Sequence, residues 1–506
     1  MPRLSGRSPT LHILLVASEA TPWAKTGGLA DVAGALPAAL AGRGHHTTLV
    51  MPRYRGIDVT GTVERQFQIR RGETRNVSCH VRQVADRQRV VFVDVPEYFD
   101  RAGLYGEAGR DYADNARRFD LLALAALEFA AQDDALAPPD VLHAHDWQAC
   151  TAPLRLRLER RWPRLAATGT VLTIHNLAYQ GLFTKDVVPA LHLPWESFGL
   201  DRGEFWGQFS FLKAGITSAD CVTTVSPTYA AETLTKESGS GLDGVLRSLG
   251  DRYVGILNGI DTDVWNPETD PLLPANFSAG DLSGKAECKR ELLAVFGLPR
   301  GDDAIGRPLV GMVSRLVQQK GLDLVEQASR ELVDLDAGWV FLGSGDRKYE
   351  RFLLDLAAAH PTRVGVHIGF DERLAHLVEA GSDIFLMPSE FEPCGLNQMY
   401  SLRYGTVPIV RAVGGLDDTI QPYTAHARNA NGFKFKESSG DVLTNVARRA
   451  TRLYHNRPAW RGLMRNGMAA DHSWAGPARE YVKVYRRARA EGAVRARQSS
   501  AGSSRG

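Results

Sequence analysis

The chain has 506 residues, 44% of them hydrophobic and 23% charged, which is too long for one compact core, so two domains are expected. Its 60 basic and 58 acidic residues leave a formal charge of +2, which supplies no broad field for gripping nucleic acid or an anionic membrane; any anionic ligand must be held by local groups. The five cysteines, Cys79, Cys150, Cys221, Cys288 and Cys394, have no metal-like spacing and form an odd set, which argues against a disulfide framework and for a reducing cytoplasm, and no apolar run reaches the roughly 18 residues that span a bilayer.

Residues 11–17 follow Arg3 and Arg7 as a signal peptide would, but the run is short, contains His12 and continues into Ser18-Glu19 without a small-residue cleavage site. They read as a first buried strand. The Asn-x-Ser sequences at Asn76 and Asn276 then read as incidental. Further β-branched or leucine-rich runs at 47–51, 90–95, 141–144, 170–174, 221–225 and 253–257 are mostly separated by helical-length segments such as 117–131. That alternation predicts a mostly parallel sheet and an N-terminal domain over 10–260. A polar, Asp- and Pro-rich stretch over 261–284 breaks the rhythm and reads as a linker. Runs at 309–313, 339–342, 364–368, 384–387 and 407–410 then predict a second α/β domain over 285–470. Residues 471–488, with Trp474, Tyr481 and Tyr485, read as a final helix packing back on the N-terminal domain, and 489–506, rich in Arg, Ala, Ser and Gly, as a disordered tail. The fold class is α/β, with two Rossmann-like doubly wound domains whose ligands are expected in the crevice where their faces meet.

Polar clusters sit where such sheets expose ligands. Lys25-Thr26-Gly27-Gly28 opens a segment whose Leu29, Val32, Ala33, Leu36 and Leu40 are helically spaced, so backbone amides and Lys25 could hold an anion, although a plain strand-to-helix turn would look the same. The G-x-G-x-x-G dinucleotide pattern is not met, which leaves a nicotinamide dehydrogenase poorly supported. His143-Ala144-His145-Asp146-Trp147 and His175-Asn176-Leu177-Ala178-Tyr179-Gln180-Gly181 each follow a strand. They suit sugar hydroxyls better than zinc, which would need further converging ligands, although each polar residue could equally be a cap or loop anchor. Ser314 to Gly321 places Arg315 and Lys320 on one loop, a spacing suited to the two phosphates of a diphosphate leaving group, with surface solvation as the alternative. Pro388 to Leu396 puts a carboxylate beside Pro and Gly ahead of a helix.

Together with Thr224 to Ala230, Asn258-Gly259-Ile260-Asp261 and Gly414-Gly415-Leu416, these segments resemble, in order, the bacterial glycogen synthases and plant starch synthases, over about residues 11–485. Lys-Thr-Gly-Gly-Leu and Glu-Pro-Cys-Gly-Leu are specific to that family; Ser-Arg-Leu…Lys-Gly is shared across retaining glycosyltransferases of the GT-B fold. The resemblance implies transfer of glucose with retention from ADP-glucose to the non-reducing end of an α-1,4-glucan such as glycogen, with no metal and no organic cofactor. It implies catalytic roles for Glu392, His175, Arg315, Lys320 and Asp146. Donor contacts would come from Lys25, Gly28, Asn258, Asp346, Phe370, Cys394, Gly395 and Leu396, and acceptor contacts from Glu19 and Asp31. Two positions depart from the pattern: Tyr400 stands where the wider fold carries a second Glu, and Asn397 where the family favours Thr. A retaining transferase with another acceptor, a non-enzymatic glucan-binding protein and a phosphorylase stay as alternatives. The glycine loop disfavours the first and the full set of Lys25, His175, Arg315, Lys320 and Glu392 the second, while no lysine environment signals the pyridoxal cofactor of the third.

Overall fold

A computed structural model of the chain describes residues 9–107 and 109–503. The chain divides into two compact units, one of residues up to Val225, Ala230–Gly259 and from Trp474 on, the other of Ser226–Tyr229 and Ile260–Ser473.

The first unit is built on one nine-stranded sheet: β1 His12–Val16, β2 His46–Pro52, β3 Val63–Arg71, β4 Glu73–Ala85, β5 Gln88–Asp94, β6 Val141–His145, β7 Gly169–Ile174, β8 Cys221–Thr224 and β9 Tyr253–Gly255. Their spatial order is β9-β8-β7-β6-β1-β2-β5-β4-β3. From β9 to β5 every pairing is parallel, and β4 and β3 add an antiparallel edge. β1 and β7 are buried along their whole length, which is why they read as unbroken apolar runs. The β3–β4 hairpin escaped the sequence reading because β3 turns only Phe67 and Ile69 inward among polar residues. Helix α1, Gly28–Gly42, buries Leu29, Val32, Ala33, Leu36 and Leu40, the stripe that its spacing predicts.

In the second unit the strands are β10 Leu309–Val313, β11 Gly338–Gly343, β12 Val364–Ile368, β13 Ile384–Met387, β14 Val407–Arg411 and β15 Phe433–Phe435, all parallel in the order β12-β11-β10-β13-β14-β15. Alternate residues serve opposite faces: Trp339, Phe341, Ile384 and Leu386 join one core, Val340, Leu342, Phe385 and Met387 the other.

Two expectations need correcting. Residues 261–284 are no free linker but part of the second unit. Trp265 stacks between His376, 3.8 Å away, and Tyr400, 3.7 Å away, while the buried Asp270 carboxylate accepts hydrogen bonds from the Tyr404 hydroxyl at 2.6 Å and pairs with His376 Nδ1 at 2.7 Å. The polar residues that suggested solvent exposure are instead satisfied inside. Nor is 489–506 a disordered tail over its described part: one helix runs Ala475–Ser503, and residues 504–506 lie outside the described residues. Ions and close backbone contact order it where apolar surface is scarce. Arg489 lies 3.0 Å from Asp140, Arg495 Nη1 donates to the buried Asp220 at 2.5 Å, and the Thr168 carbonyl accepts from Arg495 Nη2 at 2.9 Å. A Cβ at Gly492 would come within 2.5 Å of the Ala167 oxygen, so the helix passes close to this backbone. Arg495→Ala is expected to cost about 1 kcal/mol, the worth of a charge-assisted bond with one partner part-exposed, in a urea-unfolding comparison.

Candidate functional site

Among the parallel strands of each sheet the chain reverses its winding direction once, and a doubly wound fold opens a crevice at the carboxyl ends of the two strands that flank this reversal. In the first unit they are β1 and β6, with β7 next to β6. The chain leaving β1 carries Glu19, that leaving β6 carries Asp146, and that leaving β7 carries His175.

Glu19 is buried and its Oε2 accepts from the backbone N–H and the hydroxyl of Thr26, at 2.6 and 2.7 Å. Burial raises the carboxyl to about 7 against those two bonds. Lys25 Nζ pairs with Asp31 at 2.6 Å, so a residue assigned to the donor and one assigned to the acceptor meet on the first turn of α1. Gly28 begins that helix, and Gly27 at its N-cap supplies no side-chain bond. Asp146 adopts φ 54°, a left-handed conformation costing roughly 1 kcal/mol for a residue with a Cβ, and its Oδ1 accepts from the His175 backbone N–H at 2.7 Å. Burial raises it as well, to about 7, opposed by bonds from the His175 and Asn176 backbone. Asn258, just ahead of the crossing into the second unit, is buried, and its Oδ1 has no partner among the described residues.

These raised carboxyls carry a sign. In the unfolded chain Glu19 and Asp146 ionise near 4.5 and 3.8, in the folded chain near 7. Between those values the folded state binds more protons, so their contribution to stability is present at low pH and is lost as pH rises through about 7. The double variant Glu19→Gln with Asp146→Asn should therefore gain melting temperature relative to the parent between pH 5 and pH 8; an unchanged difference across that range would contradict the assignment.

In the second unit the flanking strands are β10 and β13. Arg315 and Lys320 follow β10, Asp346 follows β11, Phe370 follows β12, and Glu392 with Cys394, Gly395 and Leu396 follows β13. Lys320 Nζ lies 2.5 Å from Glu392 Oε2, which also accepts from the Ser389 hydroxyl at 3.1 Å. Arg315 is exposed and donates to Gln319 Oε1 at 3.1 Å; Gln319 in turn donates to the Phe391 carbonyl at 3.1 Å. The cationic loop and the carboxylate loop are thereby stitched together. Gly321, with φ 76°, allows it, because a Cβ there would stand 2.1 Å from the Pro388 oxygen. On the far side Gly415 donates its N–H to the Glu392 and Pro393 carbonyls. The Asp346 N–H bonds the Leu316 carbonyl at 2.8 Å, which sets it beside the Arg315 loop, and Phe370 is 81% exposed with its ring available for stacking. Tyr400, the departure from the wider fold, is taken up by its stack on Trp265, and Asn397 donates to the Val313 carbonyl at 3.2 Å.

Sequence reasoning singled out none of Thr26, Ser389 and Gln319, whose bonds hold Glu19, Glu392 and Arg315. All three lie inside the quoted motifs, and for Thr26 and Ser389 a hydroxyl near a carboxylate was the available signal. Among the described residues no group of three or more His, Cys, Asp or Glu is arranged to hold a metal ion, and no helix is long and apolar enough to cross a membrane.

Two doubly wound units, with a cation pair and a buried carboxylate at one winding reversal and an Asp–His cluster at the other, define a GT-B glycosyltransferase. Residues 12–248 match the model described as starch synthase catalytic domain, and residues 302–461 that described as glycosyl transferases group 1. The chain is 52% identical over 483 residues to a glycogen synthase of Anaeromyxobacter dehalogenans (strain 2CP-1 / ATCC BAA-258), covering 94% of this chain and 99% of that one, and 47% identical to a glycogen synthase of Koribacter versatilis, covering 95% and 98%. The catalytic domain of starch synthase IV from Arabidopsis thaliana, bound to ADP and acarbose, superposes with a TM-score of 0.87 at 33% identity over 95% of this chain and 100% of that one. Sucrose-phosphate synthase from Thermosynechococcus elongatus shares the fold, with a TM-score of 0.57 at 18% identity over 94% and 98%. The chain belongs to the glycogen synthase and starch synthase family, and is a glucosyltransferase.

Proposed function

We propose that the protein transfers glucose with retention from ADP-glucose to the non-reducing end of an α-1,4-glucan, in the cytoplasm, without a metal or an organic cofactor. The observation that carries the reading is the Lys320–Glu392 pair at 2.5 Å with Arg315 on the same loop, at the winding reversal of the second sheet. Charge builds on the departing diphosphate as the glycosidic bond breaks, and fixed cations stabilise it more in the transition state than before, the role usually filled by a metal. Glu392 takes the donor-glucose hydroxyls, Phe370 stacks on the adenine, and Cys394, Gly395, Leu396 and Asp346 complete the donor contacts with Lys25, Gly28 and Asn258. His175 contacts the glucose and Asp146 orients the donor or the neighbouring His, while Glu19 and Asp31 lie toward the glucan. The acceptor attacks from the face that the diphosphate leaves, and the phosphate takes its proton. Five free, buried cysteines agree with a reducing compartment. A radiolabel-transfer assay on glycogen, with ADP-glucose against UDP-glucose and with chelator present, tests the reading: incorporation from ADP-glucose that survives chelation is expected. Incorporation from UDP-glucose alone, or none after chelation, overturns the corresponding part.

A further inference from the structure

Three imidazoles stand in a row inside the first unit. The rings of His143 and His145 are 4.1 Å apart, those of His145 and His175 5.3 Å, and the first two are fully buried. Both ring nitrogens of His143 are occupied, Nδ1 by the Tyr485 hydroxyl at 2.9 Å and Nε2 by the Thr173 hydroxyl at 2.6 Å. Tyr485 belongs to the C-terminal helix, whose Tyr481 ring also packs on His143. His145 differs: its Nδ1 lies 3.0 Å from His175 Nε2, but its Nε2 is buried with no partner among the described residues.

That orphan decides where the protons are. A neutral imidazole donates from one nitrogen and accepts at the other. If His145 accepted at Nδ1, its Nε2 would be a buried N–H with nothing to donate to, the rarer and costlier arrangement; with the proton on Nδ1, the orphan is a bare lone pair. Resting on the reading of His175 as a glucose contact, we infer that His145 is a positioning residue: by donating Nδ1–H to Nε2 of His175 it holds His175 as the Nδ1–H tautomer and makes the other ring nitrogen a hydrogen-bond donor toward the sugar. Burial keeps the row neutral, with His145 lowered to about 3 and both His143 and His175 well below their ordinary value, so a second proton does not blur the assignment. A hydroxyl oxygen of the glucose then meets an N–H, where the other tautomer would offer it a lone pair.

The tautomer is readable directly. In the full-length enzyme labelled with 15N-histidine, the two-bond proton–nitrogen spectrum, with His175 assigned by the signal missing from His175→Ala, should show Nδ1 protonated and Nε2 bare at neutral pH. His145→Phe keeps a ring but no donor: the His175 signal should move toward the Nε2–H form and kcat should fall about 10²-fold, the scale of one misdirected donor, with the KM for ADP-glucose changed less than about threefold. His145→Asn, which can still donate from its amide, should restore most of both. Protonation of His175 at Nε2 in the parent overturns the inference, and so does a loss of activity in His145→Phe with an unmoved tautomer. Should His145→Phe fail to fold, the parent spectrum still decides. Full activity of His175→Ala would sink the reading of His175 as a sugar contact while leaving the tautomer result to stand by itself.

Discussion

Lys320→Ala is expected to lower kcat by about 10²- to 10³-fold, the scale for removing one preorganised donor from a site of developing negative charge. The same change should destabilise the protein by about 2 kcal/mol, because Glu392, only 6% exposed, loses the cation 2.5 Å from its Oε2 and keeps the Ser389 hydroxyl alone. The figure lies below the roughly 3–5 kcal/mol for breaking a fully buried pair, since the Lys320 side chain is itself 19% exposed. Adding Glu392→Gln removes the stranded charge, so the double variant should recover stability in a urea titration and recover no activity. Arg315→Ala separates the two effects from the other side: its guanidinium is exposed with one bond, to Gln319, so kcat should fall by a similar factor while stability barely moves. Near-parental turnover of both single variants would remove these cations from the proposed chemistry.

Gly321→Ala should cost nearly as much activity with every chemical group still present. At φ 76° an added Cβ carries left-handed strain of roughly 1–2 kcal/mol, and it would also stand 2.1 Å from the Pro388 oxygen, so one of the two loops must move. Any shift parts Lys320 from Glu392, and misplacement by about 1 Å can cost about 10²-fold in rate. Gly297→Ala is the matched control: φ is 70° there, but no atom lies within 4 Å of the new Cβ. It should show the strain alone, as a small fall in melting temperature with turnover intact. Equal activity of the two variants would mean that the spacing of the loops is not held by Gly321.

The strands of the two large sheets were readable because parallel strands covered on both faces are written as continuous apolar runs: of the fifteen described there, β3, β4 and β15 were missed. β3 is amphipathic at an edge and β15 has three residues, too short to register as a run. The interior role of Trp265 and Asp270 was hidden because Asp, Pro and Asn in 261–284 score as solvent-loving whether or not a His376 or Tyr404 waits to bond them. The helix after Arg489 was hidden for the converse reason, since its partners Asp140 and Asp220 lie in other parts of the chain.

Local composition sufficed to say which segments become strands and that polar motifs follow them, because strand propensity and turn chemistry act over a few residues. Which motifs meet is another matter. Lys320 and Glu392 are 72 residues apart, and Tyr485 reaches His143 across 342, distances over which no pattern in the chain carries information about contact. The order of strands in each sheet brings them together, for it sets which loops leave neighbouring carboxyl edges, and side-chain packing at those edges then assigns each proton and each charge a partner.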